Sequence, residues 1–325
     1  MDNRAIDPFI SPVPLLKQAT RWFFSFLKLR QLFGRAGVIA LPYGWHIIFF
    51  LIPFLLVLKI SLSESLVASP PYADLVTWRK DNLIHIRLNL ETYLFLAQDT
   101  LYWDSYLESL RISGLATILC LLIGYPMAYG IARATLHFRI ILLSLIILPF
   151  WTSFLIRIYA WMGILGTHGV VNNILLKIGF IAQPLSLLHN DFAVCLGIVY
   201  SYLPFMVLPL FVALDKIDPS LLEAAHDLGC KPLKAFFKVT LPLSMPGVLS
   251  GSMLVFIPGV GEYIIPELLG GADNIMIGKV LWTEFFNNRD WPLACALAIA
   301  LLVMLVLPIM FFQKLISRQT EEIQS

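Results

Sequence analysis

The stretch PGVGEYIIPE, residues 258–267, puts two carboxylates, Glu262 and Glu267, and one aromatic ring, Tyr263, into an otherwise apolar run. A charged side chain at the centre of a membrane-spanning helix costs about 2.5–3.5 kcal/mol on insertion scales, so a carboxylate there needs a compensating task. Two tasks suit Glu262. It can offset the lost hydration of a passing cation, with Tyr263 adding a cation–π face worth ~0.5–2 kcal/mol. It can also pair with a basic residue on a neighbouring helix, such as Arg157. Gly259, Gly261 and Pro258 allow a bent or unwound backbone beside a cavity. A second acidic set lies in LYWDSYLESL, where Asp104 and Glu108 are one helical turn apart and share a face, with Trp103 and Tyr106 near them. These rings also fit an ordinary interfacial belt, as do Tyr159 and Trp161.

A different chemistry is written in EAAHDLGCKPLKAFFKVTLP, residues 223–242. Asp218 is a plausible N-cap and Pro219 a favoured first helical residue. Leu221, Leu222, Ala225 and Leu228 then mark one helical face, and Glu223 and Asp227 another. Gly229 is a natural stop, able to turn left-handed at the helix end. Leu233, Phe236, Phe237 and Leu241 suggest a second short helix before Pro242 and the next apolar span. The pattern predicts a compact helix–turn–helix between two membrane segments, in a loop that could either pack on its own bundle or seat in another protein.

Other chemistries find no support. There is no G-x-x-x-x-G-K-[ST], so the chain is not expected to hydrolyse ATP itself. Cys120, Cys195, Cys230 and Cys295 are scattered singly, without zinc-like spacing, and read as reduced structural thiols. The six histidines form no cluster. We expect a non-catalytic chain with no metal, no cofactor and no nucleic-acid partner.

The elements that must position these residues follow from composition. Of 325 residues, 58% are hydrophobic and 14% charged, against about 25% charged in a soluble domain. Six apolar segments approach the ~20 residues that a bilayer requires. They run at 38–62, 107–132, 140–163, 191–214, 244–266 and 293–315, the third being the least clean because it holds Arg157 and several aromatics. With the N-terminus inside, the inner segments carry Arg4, Lys17, Arg21, Lys28, Arg30, Arg35, Arg133, Arg139, Lys216, Lys231, Lys234, Lys238, Lys314 and Arg318. The outer segments carry only Arg79, Lys80, Arg87, Lys177, Lys279 and Arg289. The asymmetry predicts both termini in the cytoplasm. Residues 15–35 place Leu15, Leu16, Ala19, Trp22, Phe23, Phe26 and Leu27 at helical spacing with basic residues between, a basic amphipathic helix for the inner leaflet. The organisation is therefore a basic segment 1–37, a membrane domain 38–316 and a tail 317–325. The outer loop 63–106 is long enough to demand local structure or a partner.

Glu223-Ala224-Ala225, then Gly229, then Val239 and Leu241-Pro242, resembles the EAA loop of binding-protein-dependent ABC importers, with Val239 where the family usually has Ile. ALPYGWHIIFFLIPFLLVLKISLSE, LPFWTSFLIRIYAWMGILG, GSMLVFIPGVGEYIIPELLGG and NIMIGKVLWTEFFNNRDWP extend the likeness to permease subunits of bacterial putrescine importers over residues 38–316. The resemblance implies an all-α, six-span type I importer permease in the bacterial inner membrane, carrying a polyamine such as putrescine inward. It implies that loop 215–243 is a coupling element docking in a separate ATPase. Glu223, Ala224, Ala225, Gly229, Leu241 and Pro242 match the motif, and together with Asp227 they are the coupling residues that the resemblance implies. Two ATPase subunits holding ATP and Mg²⁺, a second homologous permease chain and a periplasmic polyamine-binding protein would complete the assembly. A polyamine path would draw on Glu262, Tyr263, Glu267, Asp104, Glu108 and Trp103. A permease of the same class for another small solute, or a carrier driven by an ion gradient without an ATPase, would share the apolar spans.

Overall fold

The structure, a computed structural model, describes residues 35–78 and 84–324. The amphipathic helix expected over 15–35 lies, apart from its last residue, outside the described residues. Contacts divide the chain into two units meeting between Lys59 and Ile60. The described part of the first is helix α1, built from Arg35–His46, a π-helical turn Ile47–Leu51 and Ile52–Ser61, whose last two residues enter the second unit. The ring of His46 reaches back one turn to the Pro42 carbonyl at 2.8 Å, beside a backbone position that has no N–H.

The described residues of the second unit are helical, with one short exception. The segment after α1 pairs β1 (Val76–Trp78) antiparallel with β2 (Ile84–Ile86), then forms α2 (Glu91–Gln98). Helix α3 runs Thr100–Arg133, starting well before the predicted residue 107 because the Asp99 side chain accepts the Leu101 N–H at 2.9 Å and caps it. The core is α3, α7 (Asp191–Asp215) and α9, which runs unbroken over Pro232–Val260. Small residues bring these helices together. A Cβ on Gly247 would meet the Ala213 methyl at 2.5 Å and the Pro209 carbonyl at 2.9 Å, and one on Gly251 would meet the Met206 carbonyl at 3.0 Å. Ile112, Ala116, Cys120, Ile198, Met206, Leu210 and Val255 fill the space between.

Among the described residues, five helical stretches, Phe154–Lys177 among them, are long and apolar enough to cross a membrane; Leu136–Trp151 is a shorter apolar helix, and Trp291–Val306 is the apolar part of a longer one. Four of the predicted spans fall on these stretches, and the sixth, 293–315, falls within the helix Trp291–Gln324. The third, 140–163, is not one helix. It divides into α4 (Leu136–Ile147, ending in a 3₁₀ turn Leu148–Trp151) and α5 (Phe154–Leu165), followed by α6 (Val170–Lys177). Pro149 and the polar pair Thr152-Ser153 make the break: the Thr152 N–H and hydroxyl both donate back to the Pro149 carbonyl, at 3.3 and 2.8 Å, and close the turn.

The expected short helix before Pro242 is also revised. It is continuous with the span, because a π-helical turn at Phe236–Thr240 carries the chain from Pro232–Ala235 into Leu241–Val260. Pro242 therefore sits in the first turn after that bulge, where a missing N–H is tolerated. The last helix, α12, runs Trp291–Gln324 and continues through position 316 without a break.

Candidate functional site

Glu262 sits where α9 stops. Gly261 ends the helix and residues 261–263 are not helical, as the glycines and Pro258 predict. The chain then forms α10 (Ile264–Leu269), turns, and returns as α11 (Ile277–Trp282), followed by a π-helical turn Thr283–Asn287. The return is close. Gly278 lies against the break so tightly that a Cβ there would be 2.4 Å from the Glu262 carbonyl oxygen. Buried Ser109 of α3 accepts the Ile277 N–H at 2.7 Å and pins the start of the returning arm. Irregular backbone inside an apolar bundle is thus covered by its own chain, the condition under which it persists at membrane depth.

The Glu262 side chain is only 8% exposed. One carboxylate oxygen accepts the Tyr202 hydroxyl of α7, and the other accepts the backbone N–H of Ile264 at 3.1 Å and of Ile265 at 3.5 Å. The carboxylate thereby caps α10 and ties it to α7. Arg157 is elsewhere: its guanidinium lies over the rings of Phe150 (5.2 Å) and Phe154 (5.6 Å), while Nε and Nη1 have no hydrogen-bond partner. The alternative of a Glu262–Arg157 pair gives way to a neutral phenol donor. Glu262→Ala takes this acceptor from the Tyr202 hydroxyl and the Ile264 and Ile265 N–H groups, a loss of about 1–3 kcal/mol for each buried group left unpaired. Glu262→Gln keeps an acceptor oxygen for Ile264. Thermal unfolding of the solubilised chain should therefore rank wild type, Gln, then Ala. Equal midpoints for Ala and wild type would remove the capping role.

The other acidic residues are engaged separately. Tyr263 stacks on Trp282, with ring centroids 4.3 Å apart and planes at 16°, and Glu267 pairs with Lys279 at 3.4 Å. Glu108 pairs with Arg111 at 3.0 Å, and Arg111 reaches Asp191 at 3.5 Å, joining the starts of α3 and α7. Asp104 is exposed. Trp103 donates its indole N–H to the Ala97 carbonyl at 3.2 Å and, with Tyr106, lines an apolar groove of about 420 Å³ against α12. Tyr202, Ser109, Trp282 and Lys279 were not singled out in the sequence. A phenol in an apolar helix signals that its hydroxyl needs a partner, but does not name one.

From the ring of Tyr202 the line continues to Phe205 at 6.0 Å, and Phe205 borders a groove of about 820 Å³ between α7 and α9. The groove is mostly apolar, with Lys216, Asp218 and Leu221 also in its lining. There the loop begins. The Arg139–Asp215 ion pair, 2.8 Å, and the Arg139 bond to the Ala132 carbonyl at 2.9 Å clasp α3, α4 and α7 together.

Helix α8, Pro219–Asp227, forms as its residues predict. The Asp218 side chain accepts the Ser220 N–H at 2.9 Å. Gly229 has φ +75°, the Cys230 N–H donates to the Ala225 carbonyl at 2.9 Å, and the Gly229 N–H donates to His226 at 2.8 Å, which is the Schellman pattern. No residue of α8 is buried, and Glu223, Ala224 and Asp227 are exposed while Ala225 is half-buried. Leu228 is 88% exposed, and Leu221, Leu233 and Phe237 also face outward. Leu241 is half-buried and Pro242 exposed. Helix α8 is thus capped at both ends and leaves apolar side chains outside its own bundle.

The bond from Ser220 holds the Asp218 carboxyl below its ordinary range. A depressed carboxyl contributes stability above its unfolded-state pKa and loses it as pH falls through the lowered value. Amide exchange at Ser220 and Leu221 should hence be slow near neutral pH and, corrected for intrinsic rates, gain openings under acid. Pro or Ala at 218 should show the open behaviour at every pH, and a pH-independent opening in wild type would refute the cap.

Comparison with known proteins adds a lineage to this geometry. Residues 38–322 match the family model for the binding-protein-dependent transport system inner membrane component. The chain is 40% identical over 286 residues to the spermidine/putrescine transport system permease protein PotB of Haemophilus influenzae, covering 87% of this chain and 95% of that one. It is 36% identical over 281 residues to the protein of the same name in Escherichia coli K12, covering 86% and 97%. Its fold is similar to a chain in the crystal structure of a bacterial ABC transporter that imports the acidic polysaccharide alginate, with TM-score 0.60, 17% identity, and 94% and 99% coverage.

Proposed function

The chain belongs to the family of inner-membrane components of binding-protein-dependent transport systems, and from that premise we propose that it carries a polyamine inward as one permease subunit of an ATP-driven importer. It is a non-catalytic, multi-pass membrane subunit. The polyamine assignment is supported by relatives of that description matching nearly the whole chain at 36–40% identity. Fold alone would not support it, since a chain from an importer of an acidic polysaccharide has a similar fold.

The observation that carries the coupling is α8, complete, capped and wholly outside its own core. In this reading α8 seats in a groove of a separate ATPase on the cytoplasmic side, where the basic residues also place both termini. Two ATPase subunits bind ATP and Mg²⁺. Their closure on ATP moves α8, and the α7–α9 pair that flanks it moves as the bistable element. A second permease chain faces the 820 Å³ groove and completes the path, and a periplasmic binding protein delivers the polyamine. Phe205 borders the groove, and through the Tyr202 ring it leads to the Glu262 carboxylate, a pairing of aromatic faces and a carboxylate suited to a cation.

ATPase activity of the co-purified complex in lipid nanodiscs tests this. Binding protein loaded with putrescine or spermidine should stimulate it, and binding protein with sulfate or an amino acid should not. Stimulation by another solute would discard the polyamine assignment. A chain that purifies without any ATPase, and transports on an ion gradient, would discard the coupling as well.

A further inference from the structure

Lys279 is a cation on the returning arm that the transport scheme does not use. Its ammonium lies 3.4 Å from the Glu267 carboxylate, and the two side chains are 27% and 44% exposed. The spacing is looser than the ~2.7–2.9 Å of a tight charge-assisted hydrogen bond. Glu267 is one helical turn from Tyr263, its N–H donating to the Tyr263 carbonyl at 3.1 Å. Lys279 is three residues from Trp282 on α11, so the two share a face. Two rungs therefore join the arms α10 and α11: Tyr263 stacked on Trp282, and Glu267 paired with Lys279. A lysine side chain is four methylenes ending in a primary ammonium, chemically one end of a diaminoalkane. The protein thus already holds an alkylammonium on this carboxylate, on arms that also carry the Tyr263–Trp282 stack, five residues beyond Glu262.

We infer that Glu267, Tyr263 and Trp282 form an ammonium site on the re-entrant arm, occupied at rest by Lys279 and taken over by one end of the polyamine. The inference rests on the polyamine reading above and deepens it. Lys279 acts as a tethered competitor, so the site has no uncompensated carboxylate when empty, and it weakens the apparent affinity by the fraction of time it is bound.

Competition gives the two partners opposite signs. The full chain in nanodiscs is tested for binding of radiolabelled spermidine at fixed ionic strength. Lys279→Met should tighten binding about two- to sixfold, the range expected for removing a partly exposed ion pair as competitor. Glu267→Gln should weaken it about threefold or more. In the wild type, spermidine should raise the rate at which acetic anhydride modifies Lys279, and magnesium chloride at equal ionic strength should not. A purely structural ion pair predicts that both variants weaken binding alike and that labelling is unaffected by spermidine; either result overturns the exchange. Polyamine-stimulated ATPase in the complex, together with binding that Lys279→Met fails to tighten, overturns this site and leaves the polyamine reading standing.

Discussion

A single methyl group added at position 278 is expected to remove transport. Alanine there would set its Cβ 2.4 Å from the Glu262 carbonyl oxygen, 2.6 Å from that of Gly261 and 2.8 Å from the Glu262 carbonyl carbon. All three are backbone atoms, so no side chain can swing aside. Either α11 withdraws from the break or residues 261–262 shift, and each breaks something else. Withdrawal pulls the Ile277 N–H from Ser109, and a shift takes the Glu262 carboxylate away from Tyr202 and Ile264. Overpacking costs about 1–3 kcal/mol where side chains yield, and more where they cannot. Gly278→Ala should lower membrane abundance and thermal stability together and leave uptake near background. Gly261→Ala is the control, since a Cβ at Gly261 meets nothing within 4 Å. Normal abundance, stability and uptake in Gly278→Ala would mean that the arm does not pack on the break.

The contrast between those glycines shows what a sequence can disclose here. Glycines and a proline around Glu262 announced an unwound backbone, and it is unwound at 261–263. They could not announce which segment returns to cover it, because that depends on residue 278 meeting residue 262 across a turn. Tyr202 meets Glu262 from 60 residues away for the same reason. Local chemistry was legible wherever the partner is local: Asp218 with Ser220, and Gly229 with the carbonyls of Ala225 and His226. The third span failed in the opposite sense. Its apolar run reads as one crossing, yet Pro149 and Thr152-Ser153 close a 3₁₀ turn within it, and hydropathy does not register a hydrogen bond back to a proline carbonyl. Arg157 followed from the sequence as a candidate partner for Glu262, and the aromatic residues flanking it at 150 and 154 were the better signal for where it goes.

Changes in α8 should have the reverse signature, a chain that is present and folded but uncoupled. Gly229 occupies left-handed backbone at φ +75° with nothing near its Cβ position. A Cβ added there meets nothing within 4 Å, and holding an L-residue left-handed costs about 1–2 kcal/mol. The Schellman closure to Ala225 and His226 loosens, the last turn of α8 frays, and a bulky ring projects from its exposed end. Glu223→Lys reverses a charge on the exposed face while keeping a good helix former. Because no residue of α8 is buried, neither change removes core contacts, and membrane abundance should stay near wild type. Co-purification of the ATPase should fall sharply with Gly229→Trp and measurably with Glu223→Lys, and loaded binding protein should no longer stimulate hydrolysis. If both variants retain the ATPase and its stimulation, then α8 is not the surface through which ATP acts, and the exposed Leu233 and Phe237 at the start of α9 become the next segment to test.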